Sequence, residues 1–222
     1  MGKNARKCPK TLKNAKKSAR QFYQNHRADL NMQQRRRLMK SWKYKFLEKS
    51  ILGQDIDTND VDMVISKCIN RAYRDMLTAG RFYIKSNNDI CIHFKNLLEK
   101  HNYQFSHSLI LESTELFGDN EIIINGNRYV TRFGLAQKIV NMAFKYFYIF
   151  DDNINKSINY TICDCPLDSI ILNKINSNII WSKCTETQYV DCQKMIKDKL
   201  NQITLDDELL HIGNLAFDFL NW

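Results

Sequence analysis

The chain of 222 residues has few of the residues that break regular structure, with 2 prolines and 7 glycines. That scarcity leaves long uninterrupted segments, and it favours helices over a turn-rich all-β fold. A long apolar run is also missing. The longest, residues 142–150, is interrupted by Lys145 and falls well short of the roughly 20 residues that span a bilayer. The N-terminal residues have no apolar signal core, so the expectation is a cytoplasmic protein with no membrane segment. Cysteines number 7, at positions 8, 68, 91, 163, 165, 184 and 192. An odd count without a secretory leader suits free thiols in a reducing compartment. The last four are spaced C-x-C-x18-C-x7-C, which matches neither an iron–sulfur nor a zinc pattern. His93, His101 and His107 have no metal-ligand spacing either, so neither a metal nor a cofactor is expected.

Apolar residues make up 44% of the chain, enough to bury a core, which excludes global disorder. Net charge is +9 and unevenly spread. Residues 1–50 hold 16 lysines and arginines against Asp29 and Glu48, a net of +14. The other 172 residues hold 17 against 22, a net of −5. A basic segment ahead of a slightly acidic body points to a polyanion partner, nucleic acid first and an anionic membrane surface second.

Residues 1–13 read as a flexible basic arm. From 14 to 50 the apolar positions Phe22, Tyr23, Leu30, Leu38, Trp42, Phe46 and Leu47 recur at helical spacing. Arg35, Arg36 and Arg37 lie on the polar side of that helix. They are either a solvated face or a stripe that contacts phosphates. A second amphipathic helix is expected over 61–79, carrying Met63, Val64, Cys68, Ile69, Ala72, Tyr73, Met76 and Leu77, with Gly80 as its terminator. Residues 81–90 read as a polar loop, followed by a short helix over 90–100 with Ile92, Phe94, Leu97 and Leu98 inward. The pattern over 101–118 is mixed and assigns no element. Residues 121–131 hold the strongest β signal, two short runs around Asn125-Gly126-Asn127, expected as a hairpin. Further helices are expected over 167–175, 185–200 and 206–221. The fold class is therefore mainly α with one small β-hairpin near 121–131. The body, 14–222, is either a single helical domain or two closely packed helical subdomains, 14–118 and 119–222.

Two motifs between 133 and 168 carry chemistry. The first is Phe133-Gly134-Leu135-Ala136-Gln137-Lys138, a glycine that opens a helix four residues ahead of a lysine. Free backbone N–H groups at such a turn can hold a phosphate oxygen. A lysine in the first turn meets the positive end of the helix macrodipole, which with partial burial disfavours the ammonium form and frees the amine as a nucleophile. The alternative is a lysine whose head reaches water. Ile139, Val140, Ala143, Phe144, Phe147 and Phe150 follow as a broad apolar stripe, so this helix is expected at the centre of the core. The second motif is Cys165-Pro166-Leu167-Asp168-Ser169. Proline sets the approach and Asp168 caps the next helix. As a cap it needs no further role. Facing a cleft, it can activate a water or stabilise an oxocarbenium-like sugar.

Taken in order, the two motifs resemble the helix-hairpin-helix DNA glycosylases, and most nearly their archaeal 8-oxoguanine glycosylase branch. Gly134 matches the first hairpin glycine, Ala136 stands where a second glycine is usual, and Lys138 falls at the lysine position. Pro166-Leu167-Asp168 matches the Pro-Val-Asp turn, 30 positions beyond Lys138. The likeness covers residues 130–175. It implies a helix-hairpin-helix architecture acting on duplex DNA; separately, a monomer is expected. Base excision would proceed by nucleotide flipping, with hydrolase and lyase chemistry, in DNA repair or phage defence. Lys138 would attack the sugar C1′ and form a Schiff base, and Asp168 would be the catalytic carboxylate. Gly134, Ala136 and Gln137 would grip the DNA backbone together with Arg35, Arg36 and Arg37. Phe144, Tyr148 and Trp181 would stack on the extruded base. Two alternatives use the basic N-terminal third without catalysis: a nucleic-acid-binding module, and a host–phage conflict factor that docks an acidic protein.

Overall fold

The computed structural model describes residues 50–52, 59–80, 87–118, 122–124, 127–129, 132–154, 156–205 and 209–221. The chain divides into two compact units, residues 1–50 and 51–222. Arg35, Arg36 and Arg37, the expected N-terminal helix and the expected boundary at residue 13 all lie outside the described residues.

The second unit is mainly helical. Helix α1 spans Val61–Gly80. Asp60 opens it by accepting from the Met63 N–H at 3.0 Å. Val64, Ile65, Cys68, Ile69, Ala72, Tyr73 and Met76 are buried along one face, while Met63, expected inward, is exposed. Helix α2 spans Asn87–Lys100 and so begins inside the segment expected as a loop. Its buried positions Ile90, Phe94 and Leu98 recur every four residues, which turns Ile92 to solvent.

Residues 101–118, unassigned from sequence, hold helix α3, His107–Ser113, and a 3-10 turn, Thr114–Phe117. The local signal is a side-chain cap: Ser106 Oγ accepts from the Leu109 N–H at 3.1 Å. Strands β1, Ile122–Ile124, and β2, Asn127–Tyr129, pair antiparallel with Ile123 opposite Arg128.

Helix α4, Arg132–Ile149, is the centre of the unit and packs most extensively on α1. Every residue from Gly134 to Phe147 is buried. A helix buried all round presents no solvated side, so its polar side chains must find partners inside the protein. Phe144 meets Phe105 and Phe147 edge-on, with ring centroids 5.4 and 5.6 Å away. Burying each such ring contributes roughly 1.5–3 kcal/mol.

A short helix α5, Asp151–Ile154, follows α4, then a 3-10 turn, Tyr160–Ile162. Helix α6 spans Ser169–Lys174 and is followed by a 3-10 turn, Trp181–Lys183. Helix α7, Glu186–Leu200, starts at a reciprocal capping box made by Thr185 and Gln188. Helix α8 is Leu215–Asn221, much shorter than the 206–221 expected. The delay has a cause at Gly213. It takes φ +55°, and a Cβ there would lie 2.6 Å from the Thr161 carbonyl oxygen and 2.8 Å from that of Cys163. The chain crosses the 161–163 backbone at Gly213 and turns helical only beyond it. No described helix is long and apolar enough to cross a membrane.

Candidate functional site

Lys138 and Asp168 meet. Lys138 Nζ donates to Asp168 Oδ2 at 3.0 Å, across 30 positions of sequence. The lysine side chain is 3% exposed and the aspartate 23%, so the carboxylate forms the accessible rim and the amine lies behind it. Asp168 is the N-cap of α6, with its backbone extended at φ −143° and ψ −178°. Its Oδ1 accepts from the N–H groups of Ile170 and Ile171, each at 2.9 Å. One carboxylate oxygen thus caps a helix while the other receives the lysine. Burial raises the Asp168 carboxyl, but the Lys138 charge and the two backbone donors outweigh it, and the net position is below the usual carboxylate range.

The turn bearing Asp168 is held from two sides. Gln137 Oε1 accepts from the Leu167 N–H at 3.2 Å, and Gln137 Nε2 donates to the Leu167 carbonyl at 3.2 Å. Gln193, on α7, does the same to Cys165: Oε1 accepts from its N–H at 3.1 Å and Nε2 donates to its carbonyl at 2.7 Å. Pro166 between them has no N–H to satisfy. Buried backbone groups that would otherwise be orphaned are therefore paired by two glutamine amides.

Further polar side chains extend inward from the pair. Asn141 Nδ2 donates to Tyr189 Oη at 2.9 Å, and Tyr189 in turn donates to Asp164 Oδ2 at 2.8 Å. Asn214 Nδ2 lies 3.4 Å from Asp164 Oδ1. Burial pushes the Asp164 carboxyl up, and the Tyr189 hydrogen bond, His107 and Asn214 only partly offset that. Asn141 Oδ1 is buried and accepts no hydrogen bond among the described residues. Two turns beyond Lys138 on the same helix face, Lys145 Nζ lies 2.5 Å from Asp218 Oδ2, an ion pair outside ideal hydrogen-bond geometry. Both side chains are buried. Cys165 feels both pairs: burial and the Asp218 charge push its thiol well up, against the pull of Lys138. It is an inert thiol under those conditions. Among the described residues no three His, Cys, Asp or Glu side chains converge as a metal site.

Several expectations are corrected. The helix begins at Arg132, so Gly134 is inside it and Lys138 is its seventh residue, past the turn where a macrodipole acts. Gly134 is required by packing: a Cβ there would lie 2.6 Å from the Trp181 carbonyl oxygen and 2.7 Å from the Ser182 carbonyl carbon. Ala136 and Gln137 are fully buried, so neither they nor Gly134 can grip a DNA backbone. Phe144 is fully buried against Phe105 and Phe147, which makes it core and not a stacking platform. Trp181 is buried, and its carbonyl backs onto Gly134. Tyr148 is half-buried, edge-on to Tyr160 and Phe219 at 5.2 and 5.5 Å.

Sequence reasoning missed Lys145 with Asp218, the two glutamine clamps and the Tyr189–Asp164 contact. The spacing of Lys138, Asn141 and Lys145 along one face of an otherwise apolar helix was the available signal. Compared with known proteins, the chain matches no protein-family model, no curated protein and no solved structure.

Proposed function

We propose that this protein is a DNA glycosylase with an associated lyase step, in which Lys138 is the nucleophile and Asp168 the catalytic carboxylate. The observation that carries the reading is the 3.0 Å contact of Lys138 Nζ with Asp168 Oδ2, with a shielded amine behind a partly exposed carboxylate. The contact places the one amine nucleophile of the two motifs beside the one carboxylate, and attack requires Nζ to give up its proton first. In the proposed cycle an extruded nucleotide brings its C1′ to Lys138. Asp168 offsets the positive charge that grows on the sugar. Nζ bonds to C1′ as the C1′–base bond breaks, and the base leaves with the electron pair and takes up the proton that Nζ releases. Ring opening gives the Schiff base, from which β-elimination cuts the strand. The net charge of +14 on residues 1–50 supports duplex DNA as the substrate, through salt-sensitive and sequence-blind contacts.

Borohydride trapping tests the proposal. The protein is mixed with labelled duplexes carrying 8-oxoguanine, uracil, an alkylated purine, a glucosylated hydroxymethylcytosine or an abasic site. An adduct that disappears in Lys138→Gln and weakens in Asp168→Asn supports it, and the productive duplex names the base. Absence of any adduct or alkali-labile site on every duplex, with both variants binding DNA as wild type does, refutes it.

One observation favours a second reading. The burial of Gly134, Ala136 and Gln137 removes the expected phosphate-gripping turn and leaves residues 1–50 as the DNA-contacting candidate. In that reading the chain is a non-catalytic nucleic-acid-binding or host–phage conflict protein, and the Lys138–Asp168 pair is architecture.

A further inference from the structure

We infer that Gln137 is a positioning residue: by clamping both backbone polar groups of Leu167, it sets the carboxylate of Asp168 against the amine of Lys138. The inference deepens the glycosylase reading, and only its kinetic arm rests on that reading.

The geometry is a register match. Gln137 precedes Lys138 on α4, and Leu167 precedes Asp168 on the facing turn. Gln137 makes two hydrogen bonds to Leu167, donor to acceptor and acceptor to donor, each at 3.2 Å. A side-chain amide used this way imitates the edge of a β-strand. It fixes both the height and the rotation of the Leu167 peptide, and the adjoining Asp168 has little freedom left. Gln137 is fully buried, so no water competes for either bond.

The second clamp supplies the internal comparison. Gln193 makes the same pair of bonds to Cys165, on the other side of Pro166. Each glutamine Oε1 also accepts from one asparagine, Asn141 at 3.4 Å for Gln137 and Asn214 at 3.1 Å for Gln193, so losing either removes the same number and kind of hydrogen bonds. The slack that loss of Gln193 leaves arises three residues from Asp168, with the Leu167 clamp still in between. A merely structural role predicts equal consequences for the two glutamines. A positioning role for Gln137 predicts unequal ones at Asp168.

The test is an NMR titration of the carboxyl carbons in the full chain, labelled at aspartate. Wild type is compared with Gln137→Met, Gln193→Met and Lys138→Met. Methionine keeps length and volume and removes every hydrogen bond of the amide. The expected result is an upward move of the Asp168 midpoint in Gln137→Met, toward its value in Lys138→Met, and little movement in Gln193→Met. An unmoved midpoint in folded Gln137→Met, or equal moves in the two glutamine variants, overturns the inference. Should Gln137→Met not fold, Gln137→Asn is titrated instead, because its amide is one methylene too short to span both groups. If neither folds, Gln137 is a fold determinant and the positioning role is withdrawn. Where wild type forms a trapped adduct, Gln137→Met lowers its single-turnover rate by about 10- to 100-fold with DNA affinity unchanged, the scale of an ångström-level misplacement. A wild type with no adduct sinks the glycosylase reading and leaves the titration to decide this one.

Discussion

Asp168 divides its carboxylate between two elements: Oδ2 receives the Lys138 ammonium at 3.0 Å, and Oδ1 caps the helix that Asp168 itself begins. The cap holds the aspartate in one conformation, and the lysine reads that conformation. Stability and proposed chemistry are therefore joined in one side chain and separate in its substitutions.

Replacement of Asp168 by alanine removes both functions. The lost cap costs about 0.5–2 kcal/mol. The unpaired Lys138 adds a penalty on the order of 3–5 kcal/mol, the cost of breaking a buried pair. Asn is as good an N-cap as Asp, so Asp168→Asn is expected to be less destabilised than Asp168→Ala by about the cap term. Urea denaturation of the three proteins measures the difference, and equal midpoints for the two variants would show that the cap contributes nothing.

The acid limb of stability follows from two aspartates of opposite sign. The folded Asp168 carboxyl lies below its unfolded value, so the unfolded state binds more protons as pH falls. Its contribution is fully present above the ordinary aspartate value of about 3.9 and drains away through the lower folded value. Asp164 is raised, so its burial costs stability at neutral pH and that cost lessens as pH falls through its folded value. Denaturation from about pH 7 to about pH 3 is expected to give a flatter acid limb for Asp168→Asn. Asp164→Asn is expected to show a steeper fall on acidification than wild type. The same profile in all three would remove both carboxyls from the linkage.

Gly134→Ala sets two effects against each other. Alanine gains about 1 kcal/mol of helix propensity over glycine. Against that, its Cβ would meet the 181–182 backbone at 2.6–2.8 Å, and backbone cannot swing aside. Overpacking of this kind costs typically 1–3 kcal/mol, so net destabilisation is expected. Thermal unfolding reads the sign, and a stabilised Gly134→Ala protein would contradict the close approach.

Lys145 and Asp218 test the second buried pair. Lys145→Met leaves the Asp218 carboxylate buried without its counter-charge, at a cost on the order of 3–5 kcal/mol. The double variant Lys145→Met with Asp218→Leu removes both charges and is expected to recover much of that loss. Chemical denaturation of the four corners of the cycle measures the coupling, and simple additivity would mean that the two side chains do not depend on each other.

Composition and periodicity were enough for the helical character, for α1 and α7, and for the centrality of the helix bearing Lys138. Those features depend on near-neighbour spacing, which a single chain displays. Asp168 as a helix cap was legible for the same reason, since proline and aspartate act on the residues beside them. Its meeting with Lys138 was legible only as a resemblance, because nothing local brings together residues 30 positions apart. Tertiary structure alone decided the rest. It turned Gly134, Ala136 and Gln137 inward, because the 181–183 turn and the 165–168 segment pack on that face of α4. It placed Phe144 in the core, because Phe105 and Phe147 close around it. It delayed the last helix to Leu215, because Gly213 first crosses the backbone at 161–163. It also paired Lys145 with Asp218, 73 positions away, because a lysine on a helix buried all round must find its counter-charge wherever the fold supplies one.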